Sequence, residues 1–361
     1  MKQIKSIIFI LPNLEGGGAE RVILNIINNL PNNKYEIHLA IINDSGKYFD
    51  AIPEHALVHV LNVKKVRYSF LGVNKLITKV KPDIVFTTLM HVNIALIFNK
   101  IFKKRYKLII REANYLSLAF NQLNFFKRAV FNCIVKIFYP YSDCIVAQCE
   151  EMKNDLINNY RISPNIIKVI HNPIDVDYIK RMSMVGSNPF DSSKVNLLAV
   201  GRLTHQKGFD NLIRSLNVIK IQIPNVHLTI LGEGPDYEFL LNLVNSLELN
   251  SFVTFLGFQK NPFVFYKYCD IYVLSSRYEG FPNTLLEALA CGCKVVSTDC
   301  KSGPKEILAN GNYGTLVKVD DVESLADGIV KTYFGDNRSG DRYTYFDIRN
   351  IINQYEAIFD K

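Results

Sequence analysis

The strongest constraint on this chain is the regular exchange of short apolar runs with longer helical patterns. Runs rich in Ile, Val, Leu and Phe occupy 5–11, 35–42, 58–63, 83–88, 107–111, 144–148 and 166–170, with helical segments between most of them. The first helical pattern begins near Ala19 and sets Val22, Ile23, Ile26, Ile27 and Leu30 at helical spacing. Strands that exchange with helices in this way build a parallel sheet with helices on both faces, and ligands gather where its strands end. Asn172-Pro173 then breaks the chain. After a poorly patterned piece, 182–193, the exchange starts afresh with strands at 196–200, 226–231, 252–256, 271–274 and 294–298. The segment 313–317, a helix at 322–334, a turn-rich link at 335–341 and a helix over about 346–359 complete the chain. A chain of 361 residues exceeds what one core usually fills, so two domains are expected.

With 48% hydrophobic and 21% charged residues, the composition is that of a globular α/β protein. No apolar run reaches the roughly 18 to 20 residues of a membrane span. Met1 to Lys5 leads straight into a strand without the features of a signal peptide, so a cytoplasmic protein is expected. Seven cysteines without a regular framework fit a reducing compartment, and Cys291 and Cys293 lack the second pair a zinc site needs. The net charge of +8 is uneven: residues 1–172 hold 23 Lys and Arg against 12 Asp and Glu, and the remainder holds 19 against 22. Two readings stand for the basic half, an anionic partner or lysines scattered over solvent-facing surface. The same holds for 98–141, which mixes Lys100, Lys103, Lys104, Arg105, Lys107, Lys127, Arg128 and Lys136 with many aromatics. These aromatics either belong to the core or lie on an anionic membrane surface. Nucleic acid is not expected, since no recognised module accompanies the charge.

One passage points to chemistry. Ser275-Ser276-Arg277-Tyr278-Glu279-Gly280-Phe281-Pro282-Asn283-Thr284-Leu285-Leu286-Glu287 reads as a strand end, a loop and a helix, with Asn283 as the expected N-cap and Gly292 as the stop. Amides at a helix start, with the positive end of its dipole, make a seat for phosphate. Glu279 and Glu287 flank that seat, and carboxylates accept hydrogen bonds from hydroxyls while repelling bare phosphate. A ligand with both features is a nucleotide sugar.

The passage closely resembles the paired-glutamate motif of the family 4 retaining glycosyltransferases of GT-B fold. The resemblance implies that Glu279 lies beside the donor sugar and that Glu287 holds the ribose. Gly280, Phe281, Pro282, Asn283, Thr284 and Leu285 then hold sugar hydroxyls and phosphate. Arg202 and Lys207, in the run Gly201 to Gly208, match the arginine and lysine that neutralise the donor diphosphate, a role that grows as the sugar leaves. Phe258 and Gln259 fall where the nucleobase is bound. The glycine run Gly16-Gly17-Gly18, followed by Ala19-Glu20-Arg21, resembles a loop that approaches the donor phosphates and the acceptor. One departure concerns a histidine that relatives often carry near the donor sugar: Ala113 stands about there, and His91 either replaces it or merely bonds locally.

The implied fold is α/β, GT-B, with two Rossmann-like domains facing across a cleft. Residues 1–172, joined by a returning helix in 342–361, form the acceptor side, and 173–341 bind the nucleotide sugar. The implied reaction moves a hexose or N-acetylhexosamine, UDP-linked in the common case, with retention to a lipid-linked saccharide of capsule or O-antigen type. No cofactor beyond the nucleotide sugar and no catalytic metal is expected, because Arg202, Lys207 and the helix start supply the positive field. A lipid-linked acceptor adds a peripheral seat on the inner face of the cell membrane to the expected location. Two alternatives remain open: a sugar-nucleotide epimerase on a similar fold, and a non-catalytic partner in a glycan assembly complex.

Overall fold

A computed structural model describes residues 4–15, 17–46, 48–63, 69–102, 105–335 and 340–360. The chain divides into two compact units, Met1–Pro173 with Ile348–Lys361, and Ile174–Asp347.

The first unit has seven strands: β1 (Lys5–Leu11), β2 (Tyr35–Ile41), β3 (Leu57–Val60), β4 (Ile84–Thr88), β5 (Lys107–Arg111), β6 (Cys144–Ala147) and β7 (Ile167–Val169). They form one sheet in the order 3-2-1-4-5-6-7, with every neighbouring pair parallel. Helices α1 (Gly18–Asn29), α2 (Phe70–Val80), α3 (Met90–Phe102), α4 (Leu116–Asn121), α5 (Phe125–Phe138) and α6 (Glu150–Tyr160) supply the crossovers. Ile7 to Leu11 of β1 are at most 1% exposed, which is why those five positions are all apolar. The terminal helix, Ile348–Asp360, returns to this unit and buries Ile351, Tyr355 and Phe359 against β1, β4 and α1. Its last carbonyls are held by the Lys5 and Lys107 ammonium groups, which sit at two strand starts. Cations at a helix C-terminus satisfy its orphan carbonyls and oppose its dipole.

The second unit opens with α7 (Val176–Ser183), whose start is capped by Asp175 accepting from the Tyr178 amide at 2.8 Å. Strands β8 (Val195–Val200), β9 (Val226–Leu231), β10 (Val253–Phe255), β11 (Ile271–Leu274), β12 (Lys294–Thr298) and β13 (Thr315–Val317) follow. They form a second parallel sheet, in the order 10-9-8-11-12-13. Helices α8 (Phe209–Gln222), α9 (Tyr237–Ser246), α10 (Phe263–Tyr268), α11 (Asn283–Ala290), α12 (Pro304–Ile307) and α13 (Val322–Phe334) alternate with them, and the terminal helix of the chain is α14. The strand order reverses between β1 and β4 in one sheet and between β8 and β11 in the other. In open parallel sheets a crevice forms at that switch, outside the carboxyl ends of the strands.

The structure differs from the sequence reading in places that have physical causes. Strand β3 stops at Val60 instead of 63 because Asn62 adopts a left-handed φ of 52°. The sequence reading placed no helix at α7, which is only 8 residues long, although Val176, Ile179 and Ser183 form its buried side. Residues 342–347, grouped by sequence with the returning helix, belong to the second unit. Arg342 donates there to the carbonyls of Glu306 and Ile307, and the fully buried Phe346 packs on Phe281 with ring centroids 5.7 Å apart.

Candidate functional site

The six-stranded sheet brings two loops together at its switch point. One leaves β8 through Gly201 and Arg202, forms a 3-10 turn over His205–Lys207, and enters α8 through Gly208. The other leaves β11 and runs from Ser275 to Pro282 before α11. Gly208 is required twice over. Its φ is 62°, and a Cβ there would lie 2.2 Å from the Ser275 carbonyl oxygen.

The loops are stitched by hydrogen bonds in both directions. The Arg277 amide donates to Gln206 O at 2.8 Å, Gln206 Nε2 to Tyr278 O at 3.0 Å, and Ser275 Oγ to Lys207 O at 2.9 Å. Arg277 adds a cluster of charged bonds: its NH1 and NH2 each reach an Asp210 oxygen at 2.8 Å, its Nε reaches Asp320 at 2.7 Å, and NH1 also donates to His205 O at 2.7 Å. Asp210 holds the Arg277 guanidinium above its ordinary pKa, so the fork stays charged.

At the centre, Lys207 Nζ lies 2.6 Å from Glu279 Oε1, and the Ser276 hydroxyl donates to the same oxygen at 2.6 Å. The two charged side chains are 17% and 7% exposed. The floor is fixed by Thr298 Oγ1, which donates to Ser276 O at 2.6 Å, and by Ser302, which donates to Gly280 O. Lys207, Ser276 and Glu279 are thus joined directly. Arg202 is exposed, and among the described residues its guanidinium has no ion-pair partner.

The remaining candidates fall as follows. Pro282, in an extended conformation, is the N-cap of α11, so Asn283 is its first helical residue and not its cap. The Leu285 amide already donates to Pro282 O at 3.1 Å, and its side chain is fully buried. Thr284 Oγ1 accepts from Tyr272 OH at 2.8 Å, which turns it toward the sheet. Phe281 is core, 5% exposed, and Glu287 is 3% exposed within α11, which Gly292 ends with a φ of 81°. Phe258, at the carboxyl end of β10 on the same sheet edge, is 39% exposed, while Gln259 Nε2 bonds back to Leu256 O.

In the first unit, Gly16 and the lysines at 103 and 104 lie outside the described residues. Gly17 is the N-cap of α1 with ordinary backbone angles, and the Glu20 carboxylate fills the space its side chain would take. His91 is exposed in the first turn of α3, and Ala113 is half-buried. Arg111 and Glu112, at the carboxyl end of β5, are 0% and 1% exposed and engaged internally. Arg111 donates to Thr88 Oγ1 and Asn172 Oδ1, Tyr139 OH donates to Glu112 Oε2 at 2.5 Å, and Gln148 Nε2 donates to Glu112 O. Burial pushes the Glu112 carboxyl up to about 7. Sequence reasoning passed over Ser276 and Arg277, although both stand in the quoted run. All seven cysteines are free; Cys293 is buried beside Cys269, and Cys133 is exposed. Among the described residues no group of three or more His, Cys, Asp or Glu is placed to hold a metal ion.

The chain matches two protein families: "Glycosyltransferase Family 4" over residues 16–178 and "Glycosyl transferases group 1" over 183–338. It is 33% identical over 360 residues to the N-acetylgalactosamine-N,N'-diacetylbacillosaminyl-diphospho-undecaprenol 4-alpha-N-acetylgalactosaminyltransferase of Campylobacter jejuni, covering 97% of this chain and 94% of that protein. An uncharacterized glycosyltransferase of Methanocaldococcus jannaschii is 31% identical, covering 86% and 87%. Among solved structures, Anabaena HepE in complex with UDP-glucose superposes with a TM-score of 0.83 over 99% of both chains at 20% identity, a likeness of fold.

Proposed function

The chain is a glycosyltransferase of family 4 with the GT-B fold, and on that premise we propose that it moves a hexose or N-acetylhexosamine from a UDP-sugar, with retention, to a saccharide carried on a lipid diphosphate. The acceptor class follows the printed substrate of the Campylobacter relative. The donor class follows the UDP-glucose found in Anabaena HepE. The observation that carries the reading is the Lys207–Glu279 contact at the ends of β8 and β11, with Arg202 exposed on the same loop.

In this reading Arg202 and Lys207 meet the two phosphates of the donor. Lys207 then divides its charge between Glu279 and the diphosphate, so the ammonium gains a stronger partner as the sugar leaves and negative charge builds on the phosphate. Glu279, held by Ser276 and Lys207, faces the sugar and its developing positive charge. Glu287 takes the ribose hydroxyls, Phe258 lies by the base, and backbone groups of Gly280 to Leu285 line the sugar. No side chain is assigned as general base; the departing diphosphate receives the acceptor proton. Two cations and a helix start supply the field that a divalent ion supplies elsewhere, so no catalytic metal is part of the scheme.

The test is a panel of nucleotide sugars scored by thermal shift, followed by transfer to a polyprenyl-diphosphate saccharide and NMR of the new anomeric centre. A donor at a hundred times its dissociation constant adds roughly 2.7 kcal/mol to the unit that binds it. A panel that leaves the melting curve unmoved, or a product of inverted configuration, overturns the proposal.

A further inference from the structure

Two thiols converge at the amino ends of β11 and β12. Cys269 closes α10 just before β11, and Cys293 stands immediately before β12. Cys293 Sγ donates to Tyr266 O at 2.8 Å, while Cys269 Sγ lies 3.4 Å from the same oxygen and 3.8 Å from Cys293 Sγ. Side chains aimed at one carbonyl are aimed at each other, which is the first requirement of a disulfide. The strand register meets the second. Ile271 is opposite Lys294, so one residue earlier Asp270 faces Cys293. With strands about 4.8 Å apart and a rise of about 3.3 Å per residue, the Cα atoms of Cys269 and Cys293 lie about 6 Å apart. Disulfides span roughly 4.4–6.8 Å between Cα atoms. Side-chain rotation then closes the gap between the sulfurs with little movement of either strand.

The neighbouring thiol points elsewhere: Cys291 Sγ lies 3.8 Å from Phe263 O, nearly a turn earlier in α10. The two members of the pair differ in access. Cys269 is half-buried beside the exposed Asp270, whereas Cys293 is 4% exposed, and burial pushes its thiol well above the ordinary range. An oxidant therefore meets Cys269 first and leaves Cys293 to resolve the product. The pair sits at the opposite end of β11 from the loop that carries Glu279.

We propose that Cys269 and Cys293 are a peroxide-sensitive dithiol, which closes to a disulfide across the amino ends of β11 and β12 and reopens with a thiol reductant. The Cys269 sulfur attacks one peroxide oxygen, the O–O bond breaks, and a sulfenic acid and one water form. The Cys293 sulfur then attacks the Cys269 sulfur; the S–S bond forms as the S–O bond breaks, and the hydroxyl leaves with the Cys293 proton as a second water. The two sulfurs lose two electrons and the peroxide gains them. The ring so closed holds β11, Glu279 and the whole of α11. Restricting that segment in the unfolded chain stabilises the second unit. The inference stands on the thiols alone and is independent of the donor assignment.

The test is peptide mapping of the full chain carrying Cys133→Ser, which removes an exposed thiol able to link two copies. After hydrogen peroxide and alkylation, trypsin cuts at Lys267, Arg277 and Lys294, leaving Cys269 in 268–277 and Cys291 with Cys293 in 278–294. The two peptides are expected joined, with the alkyl group on Cys291, and separated by dithiothreitol. The oxidised second unit is expected to melt roughly 5–10 °C above the reduced one. Cys269→Ser should abolish both the link and the rise, and Cys291→Ser neither. The proposal is overturned if 268–277 emerges alkylated at a peroxide dose that converts the exposed Met184 to its sulfoxide. It is equally overturned if Cys269 stops at a sulfinic acid, if the bridge runs to Cys291, or if the link forms and the melting temperature does not move.

Discussion

The Lys207 ammonium and Glu279 carboxylate, 2.6 Å apart and mostly buried, depend on each other as much as on any ligand. Removing one partner of a buried pair strands the other, at a cost of about 3 kcal/mol, the lower end of the usual range because Lys207 keeps some contact with water. Lys207→Met is therefore expected to lower the melting temperature of the second unit by roughly 6–12 °C as well as turnover. Glu279→Gln, which can still accept from Ser276, should cost less stability while losing comparable activity. Calorimetry alongside donor kinetics separates the two effects. Glu112 gives a pH prediction of definite sign. Burial raises it from 4.5 to about 7 despite the hydrogen bond from Tyr139, so between those values the folded chain binds a proton that the unfolded chain has released. Its contribution is fully present below 4.5 and is lost as pH rises through 7, by an amount on the order of 3 kcal/mol. Glu112→Gln should flatten that fall in urea midpoints measured from pH 5 to 8. A variant whose pH dependence matches the parent's would show that the carboxyl is ionised at little cost.

At the scale of elements, the loops after β8 and β11 work as one body because Arg277 ties them. Lysine at 277 offers a point charge where the guanidinium spans both Asp210 oxygens, Asp320 and the His205 carbonyl together. Arg277→Lys should therefore raise KM for the donor and lower kcat with only a few degrees of melting-temperature loss. Equal kinetics in variant and parent would deny it a positioning role. Gly208→Ala should be harsher, combining a strained φ with a 2.2 Å approach to Ser275 O, and should lose both stability and activity. Much of this architecture was legible in the sequence. β5, β9, β11 and β12 run where the sequence reading set them, because each has a short buried run of Ile, Val or Leu to mark it. Lys207 and Glu279 were singled out from separate motifs, and the structure bonds them to each other. Arg277 was not legible, since its meaning lies in Asp210 and Asp320, 67 and 43 residues away. The exposure of Phe125, Phe126 and Ile137 on α5 was legible as composition only: a sequence shows that aromatics and bases alternate, and burial decides which of them face water. For 342–347 pattern misled, because only the extended Asp347 separates a 3-10 turn from α14, while Phe346 and Arg342 anchor in the other unit.

For the molecule as a whole, the chain crosses between its units twice, and the consequences for folding are unequal. The second unit is one continuous stretch, Ile174–Asp347, closed on itself by the Ile174 amide donating to Phe346 O at 2.9 Å. The first unit lacks a wall until α14 arrives from the far end of the sequence. That helix buries Ile348, Ile351, Ile352, Tyr355, Ile358 and Phe359, and the Phe359 ring packs within 6.3 Å of Tyr35, Phe9 and Phe86. Six such side chains at about 1.5–3 kcal/mol each amount to on the order of 10 kcal/mol, comparable to the whole stability of a domain. A chain ending at Asp347 should therefore lose the unfolding transition of the first unit and keep that of the second, with its UDP-sugar shift intact. The fragment 174–347 alone should behave like that remaining transition. Scanning calorimetry of the full chain, the truncated chain and the fragment decides the matter: two transitions surviving in the truncated chain would mean that the seven-stranded sheet holds its core without α14, and that the returning helix has some other purpose.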